Sequence, residues 1–158
     1  MTDYVIVLCC DHFGSNNVIF VLKDRPEWQK GCLNLPGGKI EKDESPEDAA
    51  AREVLEETGY KPWLVPEVMG ILKDGNDRIF CAKVVVDGNV LLSPREEETE
   101  SVFWQLWHKA ADDVRLIPNL RIIVPLMKCG VTGWEMESEC HGSTGSMQAI
   151  KVHVPTLA

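Results

Sequence analysis

The sequence predicts an α/β fold, an α/β/α sandwich built around a mixed sheet, on three observations. Short runs rich in Val, Ile and Phe recur at strand length and are separated by turn residues. A block of strong helix formers lies early, over 46–58, and an amphipathic block lies late, over 119–128. Strands flanking one early and one late helix bury their apolar faces best as a sheet with a helix on each side. With 158 residues and 44% hydrophobic content, one domain over 1–158 is expected. Its core should cover about 3–128, with a C-terminal extension over about 130–158.

Tyr4–Cys10 is an apolar run rich in Val and reads as a buried strand. Asp11–Asn17 is a turn containing Gly14, and Val18–Lys23 is a second strand. Arg25–Gly31 reads as a loop, Leu33–Leu35 as a short extended piece and Pro36-Gly37-Gly38 as a turn. Trp63–Lys73 and Arg78–Val86 are expected strands, joined through the hairpin signal Asp74-Gly75-Asn76-Asp77. Val102–Leu106 follows as a strand and Trp107–Val114 as a short helix. Asn119–Lys128 is the late helix, with Ile122, Ile123, Leu126 and Met127 toward the core. In the extension, Thr132–Glu139 and Met147–Val154 can pair as a β-hairpin across His141–Ser146, covering a sheet edge or forming a lid or dimer arm.

The early helix carries the chemistry. Ser45 is a good N-cap, Pro46 suits the first helical position, and Glu47 and Asp48 favour the positive end of the dipole. Gly59 is a natural residue just past the C-terminus. Glu53 and Glu57 are four residues apart and Glu53 and Glu56 three, so these carboxylates share one face. Ala51, Val54 and Leu55 fall on the complementary side, facing a core. Arg52 precedes Glu56 by four residues and is placed to orient it. Such a face is either simply solvated or neutralised by a hard divalent cation with oxygen ligands, Mg²⁺ or Mn²⁺. Gly37-Gly38 ahead, Glu44 between and Gly59 behind favour the metal site.

Composition narrows the partners. A formal net charge of −9 argues against a nonspecific nucleic-acid backbone binder. An acidic protein that binds polyphosphate needs cations as intermediaries. The six cysteines show neither CxxC nor Cys/His zinc spacing, and no apolar run approaches a membrane span. A reducing cytoplasm with free thiols is the expected setting. His12, His108, His141 and His153 are scattered and read as surface or structural residues.

From Gly38 to Tyr60 the residues follow G-x5-E-x7-R-E-U-x-E-E-x-G-U, U being apolar, with every position filled. This closely resembles the signature of the Nudix hydrolases; Tyr60 stands where that family usually has an aliphatic residue. The resemblance implies the Nudix α/β/α fold and Mg²⁺-dependent hydrolysis of a nucleoside diphosphate linked to another moiety X, with Mn²⁺ as a possible substitute. It implies that Glu56 and Glu57 are core metal ligands, that the Gly37 carbonyl adds another, and that Glu53 is a ligand or the general base. Arg52 would hold Glu56 or Glu53, Glu44 would support the loop, and Gly59 would close the helix. A loop carboxylate from Glu96–Glu100 often joins such a site; Glu98 is the first candidate and Glu97 the second. Glu57 and Glu98 are alternative bases.

Substrate choice is carried by other residues. Trp28–Asn34 resembles the W-x-x-G-x-x-N run of family members acting on purine nucleoside triphosphates, including oxidised ones. Asn34 is therefore a candidate base contact, or a turn-forming Asn capping a strand. Leu35-Pro36 departs from the turn of the sanitising subgroup. Trp28, Phe103 and Trp104 are candidates for base stacking or for plain core. Lys23, Arg25, Gly38 and Lys39 are candidate phosphate or substrate contacts. The first reading is a hydrolase cutting a purine (d)NTP to a monophosphate and pyrophosphate. An ADP-ribose or nucleotide-sugar pyrophosphatase is the alternative, and a nucleotide-sensing module without turnover the alternative from another class. A monomer or homodimer is expected, with no membrane and no stable nucleic-acid partner.

Overall fold

The computed structural model describes residues 1–96, 98–138 and 150–153. Its order is β1 (Asp3–Cys10), β2 (Asn17–Leu22), a 3-10 turn at Glu27–Gln29, β3 (Leu33–Asn34), β4 (Gly37–Lys39), α1 (Pro46–Thr58), β5 (Glu67–Asp74) and β6 (Asp77–Val85). Then come β7 (Ser101–Leu106), α2 (Trp107–Asp112), α3 (Leu120–Lys128), β8 (Trp134–Ser138) and β9 (Ile150–His153). The strands form one mixed sheet in the order β3-β2-β1-β6-β5-β8-β9, with β4 on β1 and β7 on β2.

β1 is the axis of this arrangement. It runs parallel to β6 over its whole length and antiparallel to β4, and its unbroken apolar run is what a strand covered on both faces requires. Val5, Val7 and Cys9 point to one face, where they pack with Ala49, Ala50 and Val54 of α1 and with Ala82 and Val84 of β6. Leu8 points to the other, joining Leu72, Trp134 and Met136 with Leu120, Ile123, Val124 and Met127 of α3. The period-2 alternation of one strand thus separates two cores, and the α/β/α layering follows. The alanines of α1 let that helix lie close to the sheet.

Several expectations are corrected. Pro36-Gly37-Gly38 is not a free turn, because Gly37–Lys39 is a strand paired with Tyr4–Ile6. A Cβ on Gly37 would overlap the Val5 carbonyl oxygen, so glycine serves close strand approach there. The strand expected from Trp63 begins only at Glu67; Trp63, Leu64 and Val65 lie exposed between Pro62 and Pro66, which lack ladder N–H donors. The Trp107 helix stops at Asp112. The buried face of α1 is Ala49, Ala50, Glu53, Val54, Glu57 and Thr58, whereas Ala51 and Leu55 are half-buried. Two carboxylates therefore share the inward face rather than opposing it. In the late helix, Ile123 and Met127 are buried, and Ile122 and Leu126 pack against the rim of the core. Trp134–Ser138 and Ile150–His153 pair antiparallel at the sheet edge, as a hairpin requires, while the expected turn at His141–Ser146 lies outside the described residues.

Candidate active site

Helix α1 is held at both ends by the groups its sequence foretold. The Ser45 hydroxyl accepts the Asp48 N–H at 3.1 Å, and Gly59, in the left-handed region at φ 75°, donates its N–H to Leu55 at 2.9 Å. This fixes the rotation of the helix and hence the direction of its acids.

Arg52 is the hub. Its Nε and Nη2 donate to the Glu44 carboxylate at 2.8 and 2.9 Å, and Nη2 also reaches the Lys39 carbonyl at 3.0 Å. Nη1 donates to Glu53 at 2.7 Å and to Glu56 at 3.3 Å. One planar fork thus orients three carboxylates and ties β4 to the helix. Glu44 further accepts the Glu41 N–H at 2.9 Å, bracing the connecting loop.

Glu53 and Glu57 are both buried. Gly38 packs directly on the Glu53 carboxylate, leaving no room for a Cβ, and the Gly37 N–H donates to Glu57 at 3.0 Å. Burial pushes the Glu57 carboxyl up to about 8, opposed by the Lys23 charge and the Gly37 hydrogen bond and reinforced by Glu53 and Glu100. Burial also raises Glu53, with the Arg52 hydrogen bond opposing and Glu56 and Glu98 adding repulsion. Glu56 is less buried and is bracketed by Arg52 and by Arg95, whose Nη1 lies 2.9 Å away.

The connection from β6 toward β7 is bonded to the end of α1 through Ser93 and Arg95. Ser93 N–H donates to the Thr58 carbonyl at 2.8 Å, and Arg95 N–H to the Glu56 carbonyl at 3.0 Å. Glu98 lies 4.0 Å from Arg25, and its charge is felt at Glu53. Glu97 lies outside the described residues. Glu100, part of the acidic run but ranked behind Glu98 and Glu97 as a candidate, is almost fully buried; it pairs with Lys23 at 2.7 Å and accepts the Asp24 N–H at 3.1 Å. The signal for that pair is the β2–β7 register Leu22↔Ser101, whose next step outward brings Lys23 to Glu100. It is visible only once the strands are known to pair. Arg95 was equally silent in the sequence.

Beside the carboxylates opens a cavity of about 520 Å³. Gly37 and Gly38 form its inner wall, with Lys23, Arg25, Trp28 and Asn34 around it, so six of the candidate residues converge. Tyr4, Gln29, Asp74 and Asp77 complete the polar lining, none of them foreseen. Asn34 uses its carbonyl on the Leu35 N–H at 2.8 Å and its amide on Gln29 at 3.3 Å. The Lys39 side chain is exposed and outside the lining, and its contribution is the carbonyl held by Arg52. Phe103 and Trp104 pack on the two cores instead of in the cavity.

Among the described residues, no set of three His, Cys, Asp or Glu side chains stands ready in ligand geometry. The donor set nevertheless suits a hard cation. Glu53 and Glu57 are oxygen donors held out of water, and burial together with mutual repulsion disfavours their charged forms. Added positive charge would relieve both.

A family model described as NUDIX domain matches residues 2–125. A stretch of 44 residues, 28% of this chain, is 57% identical to an ADP-sugar pyrophosphatase of Mus musculus and covers 20% of it. A stretch of 46 residues, 29% of this chain, is 48% identical to a putative 8-oxo-dGTP diphosphatase of Bacillus subtilis and covers 28% of it. The matched stretches thus span less than a third of those relatives. The crystal structure of a mutator MutT protein from Bacillus halodurans shares the fold at a TM-score of 0.76 and 18% identity, over 96% of this chain and 97% of that one.

Proposed function

The chain belongs to the NUDIX family, and on that premise we propose that it hydrolyses the diphosphate linkage of a nucleoside diphosphate bonded to a further group X. The observation that carries this reading is the shared wall of cavity and acid cluster. Gly37 and Gly38 line the cavity on one side, and touch Glu57 and Glu53 on the other. A nucleotide seated there would bring its phosphates to the carboxylates. A purine (d)NTP cut to a monophosphate and pyrophosphate is the first candidate, supported by Trp28 and Asn34 in the cavity wall and by the likeness to a putative 8-oxo-dGTP diphosphatase. ADP-ribose or a nucleotide sugar is the second, supported by the likeness to an ADP-sugar pyrophosphatase.

Glu53, Glu56, Glu57 and the Gly37 carbonyl would hold the cation. When bound, Mg²⁺, or Mn²⁺ in its place, supplies positive charge to the phosphate oxygens and acidity to a water molecule. The protein's own groups do the rest. Arg52 fixes the Glu53 carboxylate, so a base there has a defined direction. Glu57, held by the Gly37 N–H, is one alternative for the base and the loop carboxylate Glu98 is the other. Lys23, fixed by Glu100, sets a positive charge at the cavity wall toward the phosphates. Trp28 offers a ring face to a base. A chain of this kind needs no membrane or nucleic-acid partner, and works as a monomer or homodimer in the cytoplasm.

The test is a panel of nucleotides and nucleotide conjugates at fixed Mg²⁺, with phosphate and pyrophosphate products distinguished. A triphosphate yielding pyrophosphate at the highest kcat/KM is expected. Preference for ADP-ribose over every triphosphate would overturn the substrate ranking, and no turnover on any member would favour a sensing module. Glu57→Gln should abolish nearly all turnover while leaving the chain folded.

A further inference from the structure

We propose that Arg95 is a positioning residue for metal binding: its guanidinium occupies the cation's place on Glu56 and is displaced when the cation arrives. This rests on the reading of Glu56 as a ligand. In the structure each oxygen of Glu56 carries a guanidinium, Oε1 that of Arg95 at 2.9 Å and Oε2 that of Arg52 at 3.3 Å. A divalent ion and a guanidinium repel one another across a shared carboxylate, so the cation's arrival drives off the arginine that is held less firmly.

The two arginines differ in how firmly they are held. Arg52 is also bound to Glu44, Glu53 and the Lys39 carbonyl, and leaving would strip charge compensation from both carboxylates and a donor from the carbonyl. The Arg95 side chain is 53% exposed and has Glu56 as its ion-pair partner. Its exit costs only what a half-exposed pair is worth, and water receives it.

Arg95 is also delivered to Glu56 by the backbone. Its N–H donates to the Glu56 carbonyl at 3.0 Å, its carbonyl accepts the Glu98 N–H at 2.9 Å, and Ser93 N–H is bonded to Thr58 at 2.8 Å. The guanidinium can therefore swing out while the turn bearing Glu98 stays bonded to the helix. In the metal-free protein Arg95 keeps Glu56 compensated; in the loaded one its guanidinium is released to water.

The test is Mn²⁺ titration of the purified full chain, with free Mn²⁺ read by EPR, on wild type, Arg95→Ala, Glu56→Gln and the double variant. Arg95→Ala should bind about 2- to 5-fold more tightly than wild type, the range set by exposed ion pairs. In the Glu56→Gln background the same substitution should change nothing, because the competition runs through that carboxylate. Unchanged or weaker binding in Arg95→Ala would overturn the proposal, as would tightening that persists in the Glu56→Gln background. If Glu56→Gln alone binds Mn²⁺ like wild type, the ligand assignment itself falls, a failure distinct from that of the Arg95 competition.

Discussion

Glu57 ties the stability of the metal-free protein to pH, and replacing it by glutamine isolates the effect. Its folded-state carboxyl is raised from 4.5 to about 8, chiefly by burial. Between those values the native chain keeps a proton that the unfolded chain has shed. Unfolding free energy therefore falls as pH rises, by up to about 1.4 kcal/mol per pH unit. The contribution is complete below the unfolded value and gone above about pH 8. From about pH 6 to 8 the loss is about 2 kcal/mol, and at most about 5 kcal/mol over the whole window. For a chain of this size that is a drop in Tm of about 4–8 °C. A glutamine side chain cannot ionise, yet its amide oxygen can still accept the Gly37 N–H. Urea or thermal unfolding in EDTA should show wild type losing stability across this range and Glu57→Gln holding much flatter, the residual slope coming from Glu53, which is also raised. Mg²⁺ should restore wild type at pH 8 and leave the variant nearly unchanged. Parallel pH profiles for the two proteins would refute both the burial argument and the role of Glu57 as an uncompensated charge.

Other outcomes follow from the same geometry. Lys23→Met leaves the Glu100 carboxylate buried without its cation and should cost about 3–5 kcal/mol in urea unfolding; a loss under about 1 kcal/mol would mean that water reaches Glu100. Gly37→Ala drives a methyl group into the Val5 carbonyl and should destabilise the β1–β4 pair by about 1–3 kcal/mol, with weaker Mn²⁺ binding alongside, checked by melting and titration. Ser45→Ala removes the N-cap and should cost about 1 kcal/mol while leaving Mn²⁺ affinity unaltered, since the cap lies two turns from Glu53.

Much of the site was legible because local rules write it. Ser45, Pro46 and Gly59 delimit α1 through capping and backbone preference, and the spacing of Glu53, Glu56 and Glu57 places their carboxylates together on any helix. β1, β2 and β6 were equally readable from their apolar runs. Errors arose where a segment's state depends on a distant partner. Gly37–Lys39 has turn composition, but Tyr4–Ile6 offers it a ladder. Trp63–Val65 has strand composition, yet prolines flank it on either side and it pairs with no strand among the described residues, which leaves it exposed.

By itself, then, the sequence determined the family signature, the helix that bears the acids and the spacing that sets those acids side by side, since each depends on residues within a few turns of one another. Tertiary structure alone decided that Glu53 and Glu57 face inward, that Glu100 holds Lys23 and that Arg95 meets Glu56. The last two contacts join residues 77 and 39 positions apart. Their energies depend on burial and strand register, which no local pattern encodes.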